Sequence, residues 1–249
     1  MMNNMTDTVK QLLIINVLFF IGSYFVPQAN ELLSLHYFES DGFKFWQPIT
    51  HMFMHGSPMH IFFNMFALIS FGSALEHFWG AKKFLFFYFS CGIGAALVHS
   101  GVNYYYFHDA QNMLLQNGVS MADIQTLIKG ESININAPDT VLLQQYVNQM
   151  GDAFNTQAVG ASGAIYGLLV AFAFMFPNAE LGFMFIPVPV KAKYFVPVIV
   201  LLDLFSGVTG YSIFGGNIAH FAHVGGALIG FIMMWYWKKN QFSNNRWDR

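Results

Sequence analysis

Six stretches of this chain are apolar for long enough to cross, or nearly cross, a lipid bilayer. A membrane-spanning helix needs about 20 mostly apolar residues, and only 10% of this chain is charged, against roughly 25% in an ordinary soluble domain. Because lipid offers no partner for backbone N–H and C=O groups, such stretches must be helical. We therefore predict an all-α membrane protein with six transmembrane helices. The apolar stretches lie at residues 12–26, 58–75, 84–104, 160–176, 194–210 and 218–237.

The basic residues predict how these helices are oriented. If the stretches alternate across the bilayer, only Lys44 and Lys129 of the 11 Lys and Arg residues fall on one side. Basic residues concentrate on the cytoplasmic side, so we expect both termini there, in a multi-pass protein of a bacterial inner membrane.

The formal net charge of −2 argues against nucleic acid as a partner. The single cysteine, Cys91, excludes an intramolecular disulfide.

A polar segment at residues 105–158 separates the third and fourth stretches. It has no run long enough to cross lipid, so we predict an extracytoplasmic, extramembrane helical insertion within a single membrane domain covering residues 1–249. Cap-type residues and C-terminal glycines predict three short helices, at residues 109–117, 120–129 and 138–150. A lid, a partner surface and a simple decoration all fit this composition.

The fourth stretch opens with a glycine-rich run, Gly160-Ala161-Ser162-Gly163. At 1.5 Å per residue its length is roughly 25 Å, less than the hydrocarbon thickness of about 30 Å. We therefore expect a short, recessed fourth helix whose first turn, with Ser162, lies below the membrane surface in a water-filled indentation. Small residues also let helices approach closely without any chemistry, so the run taken alone favours a packing role.

Polar residues enter the second stretch. His60 and Asn64 are four residues apart and share one face of the predicted helix, and polar groups inside a membrane indicate a functional site. His51 and His55 have a spacing that suits metal ligands, but Met52 stands where a zinc protease has glutamate. Hydrogen bonds that hold the loop to the helix are the better interpretation for His51 and His55.

The sixth stretch offers a base for Ser162. It carries a small-residue face, the fourth stretch carries another, and helices with such faces approach closely. If the two faces meet, His223 comes level with Ser162. His220 lies three residues earlier on nearly the same face, so spacing alone leaves both histidines open as the base. The two faces consist of Gly163 with Gly167 and of Gly226 with Gly230.

These residues point to acyl transfer by a serine nucleophile. Ser162 needs a base to take its proton, and histidine is the usual one. The developing oxyanion needs hydrogen-bond donors, and the candidates are the backbone N–H groups of Ser162 and Gly163 with the side chains of His60 and Asn64. Tyr166, four residues after Ser162, is placed to orient the base.

Acidic residues have minor roles in this interpretation. Asp203 lies inside the fifth stretch, but an aspartyl protease needs two carboxylates in one site and no second acid lies within an apolar stretch. We expect Asp203 to be protonated or to bond a neighbouring helix, and no acid is evident as the third member of a triad. A Ser–His dyad, with the choice between His220 and His223 still open, is what remains. Glu76 is expected to bond backbone N–H groups of its own turn, and the glycine-rich run at residues 206–217 is interpreted as a gate.

The set of motifs resembles that of rhomboid intramembrane serine proteases over residues 12–238. The resemblance implies a six-helix rhomboid bundle, Ser162 as nucleophile, His223 rather than His220 as base, and no cofactor. It also implies oxyanion support from His60 and Asn64, and transmembrane segments of other proteins as substrates, cut near the extracytoplasmic face. The matching residues are His51, His55, His60 and Asn64; Gly160-Ala161-Ser162-Gly163 with Tyr166; and Ala222-His223 with Gly226 and Gly230.

The chain departs from the family pattern in two places. Trp46-Gln47 stands where the family commonly has Trp-Arg, and the third loop, usually short, is the long insertion here. The alternative function is a catalytically inactive rhomboid-like protein that binds membrane clients. Such relatives lack the serine or the histidine, whereas this chain has both. Transmembrane substrates and membrane lipid are the expected partners.

Overall fold

The computed structural model describes residues 5–131, 140–183, 186–211 and 219–240, which are predominantly helical. A π-turn at Leu68–Gly72 joins the helices Pro58–Ala67 and Ser73–Trp79 into one continuous helix. The body of the protein consists of α1 (Asp7–Phe25), α4 (Pro58–Ala67), α5 (Ser73–Trp79), α6 (Ala81–Gln116), α9 (Ser162–Met175), α10 (Ala192–Thr209) and α11 (His220–Asn240). The connections hold α2 (Gln28–Leu33), α3 (Gln47–Thr50), a 3-10 turn at His51–Phe53, α7 (Met121–Ile128) and α8 (Thr140–Asn155).

Every predicted apolar stretch contains a helix. Four of the described helices are apolar and long enough to cross a bilayer, namely α1, the joined α4 and α5, α6 and α10. The helix of the fourth stretch, α9, has only 14 residues, a length of roughly 21 Å. It is shorter than predicted because Gly160 and Ala161 precede its first turn. The last helix, α11, has 21 residues.

The central element of the bundle is α9, whose residues from Gly163 to Met175 are mostly buried. Its backbone touches that of α11. A Cβ added at Gly226 would stand 1.8 Å from the carbonyl oxygen of Gly163, and one added at Gly230 would stand 2.8 Å from Gly167 Cα. Only glycine allows so close an approach. The two predicted small-residue faces therefore meet.

Tryptophan and lysine side chains gather at one end of the bundle. Lys83, in the first turn of α6, places Nζ 4.2 Å from the ring centroid of Trp237 near the end of α11. That ring lies 5.4 Å from the ring of Trp79, the last residue of α5. The start of α6 and the ends of α5 and α11 are thus neighbours, as the predicted alternation of helix direction requires.

Glu76 joins α1 to this end of the bundle. Its predicted hydrogen-bond partners, the N–H groups of its own turn, were wrong. The carboxylate accepts hydrogen bonds from Thr6 Oγ1 (2.5 Å) and from the backbone N–H groups of Thr8 (3.1 Å) and Val9 (3.0 Å). The first N–H groups of a helix have no intrahelical acceptor and attract negative charge. Glu76 therefore caps α1 instead of its own turn.

The connection between α9 and α10 corrects the all-α prediction. It contains an antiparallel hairpin of β1 (Glu180–Phe183) and β2 (Ile186–Lys191). Glu180 pairs with Lys191 and Leu181 with Val190, and the register shifts between Leu181 and Phe183. Prolines at positions 187 and 189 disfavour a helix here but fit an edge strand.

The predicted insertion begins as part of a long helix. Because Phe107, Ala110 and Leu114 are all buried on one face, α6 continues without a break to Gln116. The separate helix predicted at residues 109–117 is therefore wrong. Gly118 follows with φ of 85°, a conformation that favours glycine and ends the helix.

The second predicted helix of the insertion is confirmed as α7, which opens with a capping box between Ser120 and Asp123. The third, α8, runs through Gly151 to Asn155, beyond its predicted end. Met150 and Ala153 are buried in a hydrophobic cluster with Phe107 and Leu114 of α6, and this packing outweighs the roughly 1 kcal/mol cost of a helical glycine. Residues 132–139, which include the predicted start at 138, lie outside the described residues.

Candidate active site

Ser162 is the first residue of α9 and follows a glycine in an unusual conformation. Gly160 has φ of 118°, which is strained for any residue with a Cβ. Its N–H donates to the carbonyl oxygen of His51 at 2.9 Å. Ala161 is the N-cap residue of α9, and its side chain caps no N–H group of the helix. The N–H groups of the first turn of α9, beginning with Ser162 and Gly163, therefore have no intrahelical acceptor.

The hydroxyl of Ser162 meets the imidazole of His223. Ser162 Oγ lies 2.8 Å from His223 Nε2, a hydrogen-bonding distance. The residues come from helices whose backbones touch beside them, at Gly163, which follows Ser162 directly, and at Gly226, one turn after His223. The close helix contact therefore sets the distance between the two side chains. Of the two candidate histidines, the structure brings His223 to the serine.

Tyr166 holds the imidazole from one face. Its ring is stacked on that of His223, with centroids 4.3 Å apart and an interplanar angle of 12°. The Tyr166 hydroxyl donates a hydrogen bond to Asp203 Oδ2. Tyr166 is thus positioned to fix the plane of the His223 ring, as its spacing from Ser162 predicts.

Asp203, on α10, is the residue that sequence reasoning misjudged. Its Oδ1 lies 3.2 Å from His223 Nδ1 and 2.5 Å from His220 Nδ1, and only 1% of its surface is exposed. The expectation that Asp203 bonds a neighbouring helix is confirmed, whereas the interpretation that no acid stands behind the histidine is wrong. The available signal was an ionisable residue inside an apolar stretch.

His60 and Asn64 lie on α4 beside the chain that leads to Ser162. A Cβ added at Gly160 would stand 2.7 Å from His60 Nε2 and 3.4 Å from Asn64 Nδ2. Asn64 Nδ2 is buried and has no hydrogen-bond partner among the described residues. Since an unpaired buried donor is costly, this amide is available to a group that enters the site.

Among the described residues, neither the ring of His51 nor that of His55 makes the predicted hydrogen bond between the loop and the helix that begins at Pro58. Burial lowers the pKa of His51 to about 4, so at neutral pH the ring is uncharged and its Nδ1 bonds the carbonyl oxygen of Gln47 at 2.9 Å. The ring nitrogens of His55 find no hydrogen-bond partner within the described ranges, and its ring packs edge-on against His60 at 5.1 Å. In the same ranges no three His, Cys, Asp or Glu residues form a potential metal site.

Gln47, which stands where the family commonly has arginine, anchors the first loop. The side chain is fully buried. Its Oε1 accepts from the N–H of His36 at 3.2 Å, and its Nε2 donates to the carbonyl oxygens of Gly42 at 3.0 Å and Leu32 at 3.4 Å. A neutral amide can both donate and accept, so Gln47 fastens the first loop without a charge.

The predicted gate falls partly on a helix. Because α10 extends to Thr209 and ends at Gly210 in a left-handed conformation, residues 206–209 are not loop. Residues 212–218 lie outside the described part of the chain.

Comparison with known proteins assigns the chain to a family. A family model described as the Rhomboid domain matches residues 42–128 and 132–240. The chain is similar to Rhomboid protein 1, mitochondrial, of Saccharomyces cerevisiae, with 26% identity over 191 residues, which cover 77% of this chain and 41% of that protein. It is also similar to the human Presenilin-associated rhomboid-like protein, mitochondrial, with 25% identity over 240 residues, or 94% of this chain and 49% of that protein.

A bacterial relative carries the word protease in its name. Rhomboid protease GluP of Bacillus subtilis is 25% identical over 139 residues, which cover 56% of this chain and 26% of GluP. The chain thus spans about half or less of the length of these relatives. Since several of them are mitochondrial, the expected bacterial inner membrane finds no support. The Rhomboid domain model covers most of the chain and the helices are apolar, so the chain is an integral, multi-pass membrane protein that belongs to the rhomboid family.

Proposed function

We propose that this protein is an intramembrane serine endopeptidase in which Ser162 is the nucleophile and His223 the general base. The observation that carries the proposal is the 2.8 Å separation of Ser162 Oγ and His223 Nε2 at the start of a short, buried helix. His223 takes the hydroxyl proton while Oγ bonds the scissile carbonyl carbon, and then gives that proton to the leaving amine as the C–N bond breaks. Water then attacks the carbonyl carbon of the acyl enzyme while His223 takes a proton from it. His223 returns that proton to Ser162 Oγ as the ester bond breaks, which releases the acyl product and restores the serine.

The oxyanion of this reaction is stabilised by donors near the start of α9. The backbone N–H groups of Ser162 and Gly163 lack intrahelical acceptors, and the amide of Asn64 is buried without a partner among the described residues. His60 lies beside Gly160 on the same side. Groups placed before the reaction starts need no reorganisation, which is why removal of one donor typically costs 10² to 10³ in rate.

The substrates are transmembrane segments of other membrane proteins. In this arrangement six helices span the bilayer, with both termini on the cytoplasmic side, and the fourth is recessed because its length of roughly 21 Å is less than the hydrocarbon thickness of about 30 Å. Ser162 is at the end of α9 opposite the lysine-rich end, so cleavage occurs near the extracytoplasmic face. In the same arrangement, the segment at residues 105–158 is an insertion on that face of a single domain.

Cleavage of a reconstituted transmembrane substrate tests the proposal. The wild-type protein should cleave it, Ser162→Ala and His223→Ala should not, and a fluorophosphonate should label the wild type but not Ser162→Ala. Ser23→Ala is a suitable control, because that hydroxyl donates to the Phe20 carbonyl oxygen of its own helix. Cleavage by Ser162→Ala would refute the mechanism. A folded wild type that binds the substrate without cleavage or labelling would favour the client-binding alternative.

A further inference from the structure

The mechanism proposed above assigns no role to Asp203. Three side chains from two other helices converge on its carboxyl group: the Tyr166 hydroxyl at Oδ2, and His220 Nδ1 and His223 Nδ1 at Oδ1. An ionised carboxylate only accepts hydrogen bonds, and here each approaching group can donate one. A buried charge is tolerated where it is fully hydrogen-bonded. The site is therefore built for the carboxylate form.

The contact with His223 constrains the tautomer of that ring. If Nδ1 donates its proton to Asp203 Oδ1, then Nε2 carries a lone pair towards Ser162 Oγ. This is the tautomer that a general base needs, because the opposite one would place N–H against the hydroxyl. The stack of Tyr166 on the ring fixes its plane, and Asp203 fixes which nitrogen carries hydrogen.

We infer that Asp203 is a positioning residue that extends the Ser162–His223 pair into a Ser–His–Asp array, an inference that rests on the proposed function. The carboxylate holds the Nδ1–H tautomer and stabilises the imidazolium that forms when His223 accepts the serine proton. Asp203 itself neither takes a proton nor touches substrate. His220, bound to the same oxygen at 2.5 Å, keeps the carboxylate directed at α11.

The substitution Asp203→Asn separates this role from mere packing. It keeps the size and one acceptor oxygen but removes the charge. We expect kcat to fall about 10²-fold, with roughly 10⁴-fold as the bound if the tautomer also reverses, while KM changes less than twofold and the thermal midpoint by only a few degrees. A residue that merely joins α10 to α11 would leave kcat within threefold, and that result would overturn the inference.

Two further measurements complete the test. Ser206→Ala is the matched control: Ser206 is also buried on α10, one turn after Asp203, and its hydroxyl has no partner among the described residues, so kcat should be unchanged. If Asp203→Asn fails to fold, Asp203→Ala is assayed with and without formate. A higher kcat of Asp203→Ala with formate than without it supports the inference. If formate leaves the kcat of Asp203→Ala unchanged, the inference is overturned.

The same assay distinguishes failure of the proposed function from failure of the role inferred for Asp203. Wild type and Ser162→Ala are run beside the Asp203 variants, with cleavage and fluorophosphonate labelling as readouts. If wild type reacts no faster than Ser162→Ala, the proposed function and this inference both fall. If wild type reacts and Asp203→Asn reacts equally fast, only the role of Asp203 falls.

Discussion

Two of the interfaces that α11 makes near the active site, those with α9 and with α10, are built in opposite ways. Against α9 the contact is backbone to backbone, through Gly226 and Gly230. Against α10 it is made by side chains, with a polar network around Asp203. A cavity of about 640 Å³, lined by apolar side chains and Lys193, opens between α9, α10 and α11.

The difference separates two tasks. Backbones in contact leave no side chain that can adjust, so the α9–α11 interface holds Ser162 and His223 at a fixed separation. The α10–α11 interface can yield where the cavity lies, because few atoms there would lose contacts. We therefore expect α11 and α9 to act as a rigid pair and α10 as the partner that adapts when a substrate enters.

The tight interface should fail most severely, and Gly226→Ala is the test. A Cβ at this position would stand 1.8 Å from the carbonyl oxygen of Gly163, so the helices must separate by more than an ångström. A displacement of that size near reacting groups costs on the order of 10²-fold in rate. We expect at least that loss in kcat/KM for a transmembrane substrate, and overpacking should lower stability by about 1–3 kcal/mol.

Stability in this series can be followed through the single cysteine. Cys91 is buried against Gly167 of α9, so a thiol-reactive dye reports when the α6–α9 contact opens on heating. Gly101→Ala is the control, because it lies in α6 and a Cβ there would meet nothing within 4 Å. If Gly226→Ala retained wild-type rates and the same thermal midpoint, the rigid-pair interpretation would be lost.

The rigid contact was also the part that the sequence predicted best. Glycines at four-residue spacing on two apolar stretches have one common use in membranes, the close approach of helices, and that approach brought His223 to Ser162. The short fourth helix was likewise predictable, because its length follows from where Gly160 and Phe176 fall. Both features depend on local spacing and on no distant packing choice.

The adaptable contact was not predictable in the same way. Asp203 was noticed as an acid in an apolar stretch, but its partners depend on how α10 is rotated and shifted along α11, and no periodicity fixes that. The pairing of Glu76 with α1 and the anchor role of Gln47 were missed for the same reason. In each case a polar side chain bonds a backbone or ring outside its own helix, and no sequence periodicity fixes that partner.

An intermediate effect is expected where α10 meets α11 beside the active site. A Cβ added at Gly207 would stand 3.0 Å from the ring of Phe221, so the obstacle is a side chain rather than backbone. The ring can move by a few tenths of an ångström, and Gly207→Ala should lower kcat/KM roughly two- to tenfold. Cleavage assays beside Gly226→Ala measure the difference. Equal losses in both variants would mean that the two interfaces are similarly rigid.

The smallest effect is expected inside the cavity itself. Ala173 of α9 lines the cavity, and a leucine there has room to extend without displacing a neighbour, unlike an extra methyl group at Gly226. We expect Ala173→Leu to keep kcat/KM within about threefold of wild type, since only overpacking of a filled site is costly. The dye assay should give an equal or slightly higher thermal midpoint, because the new side chain gains contacts with α10. A loss as large as that of Gly226→Ala would show that α10 and α11 close this space in the active protein, and the contrast between the interfaces would then hold only for the substrate-free state.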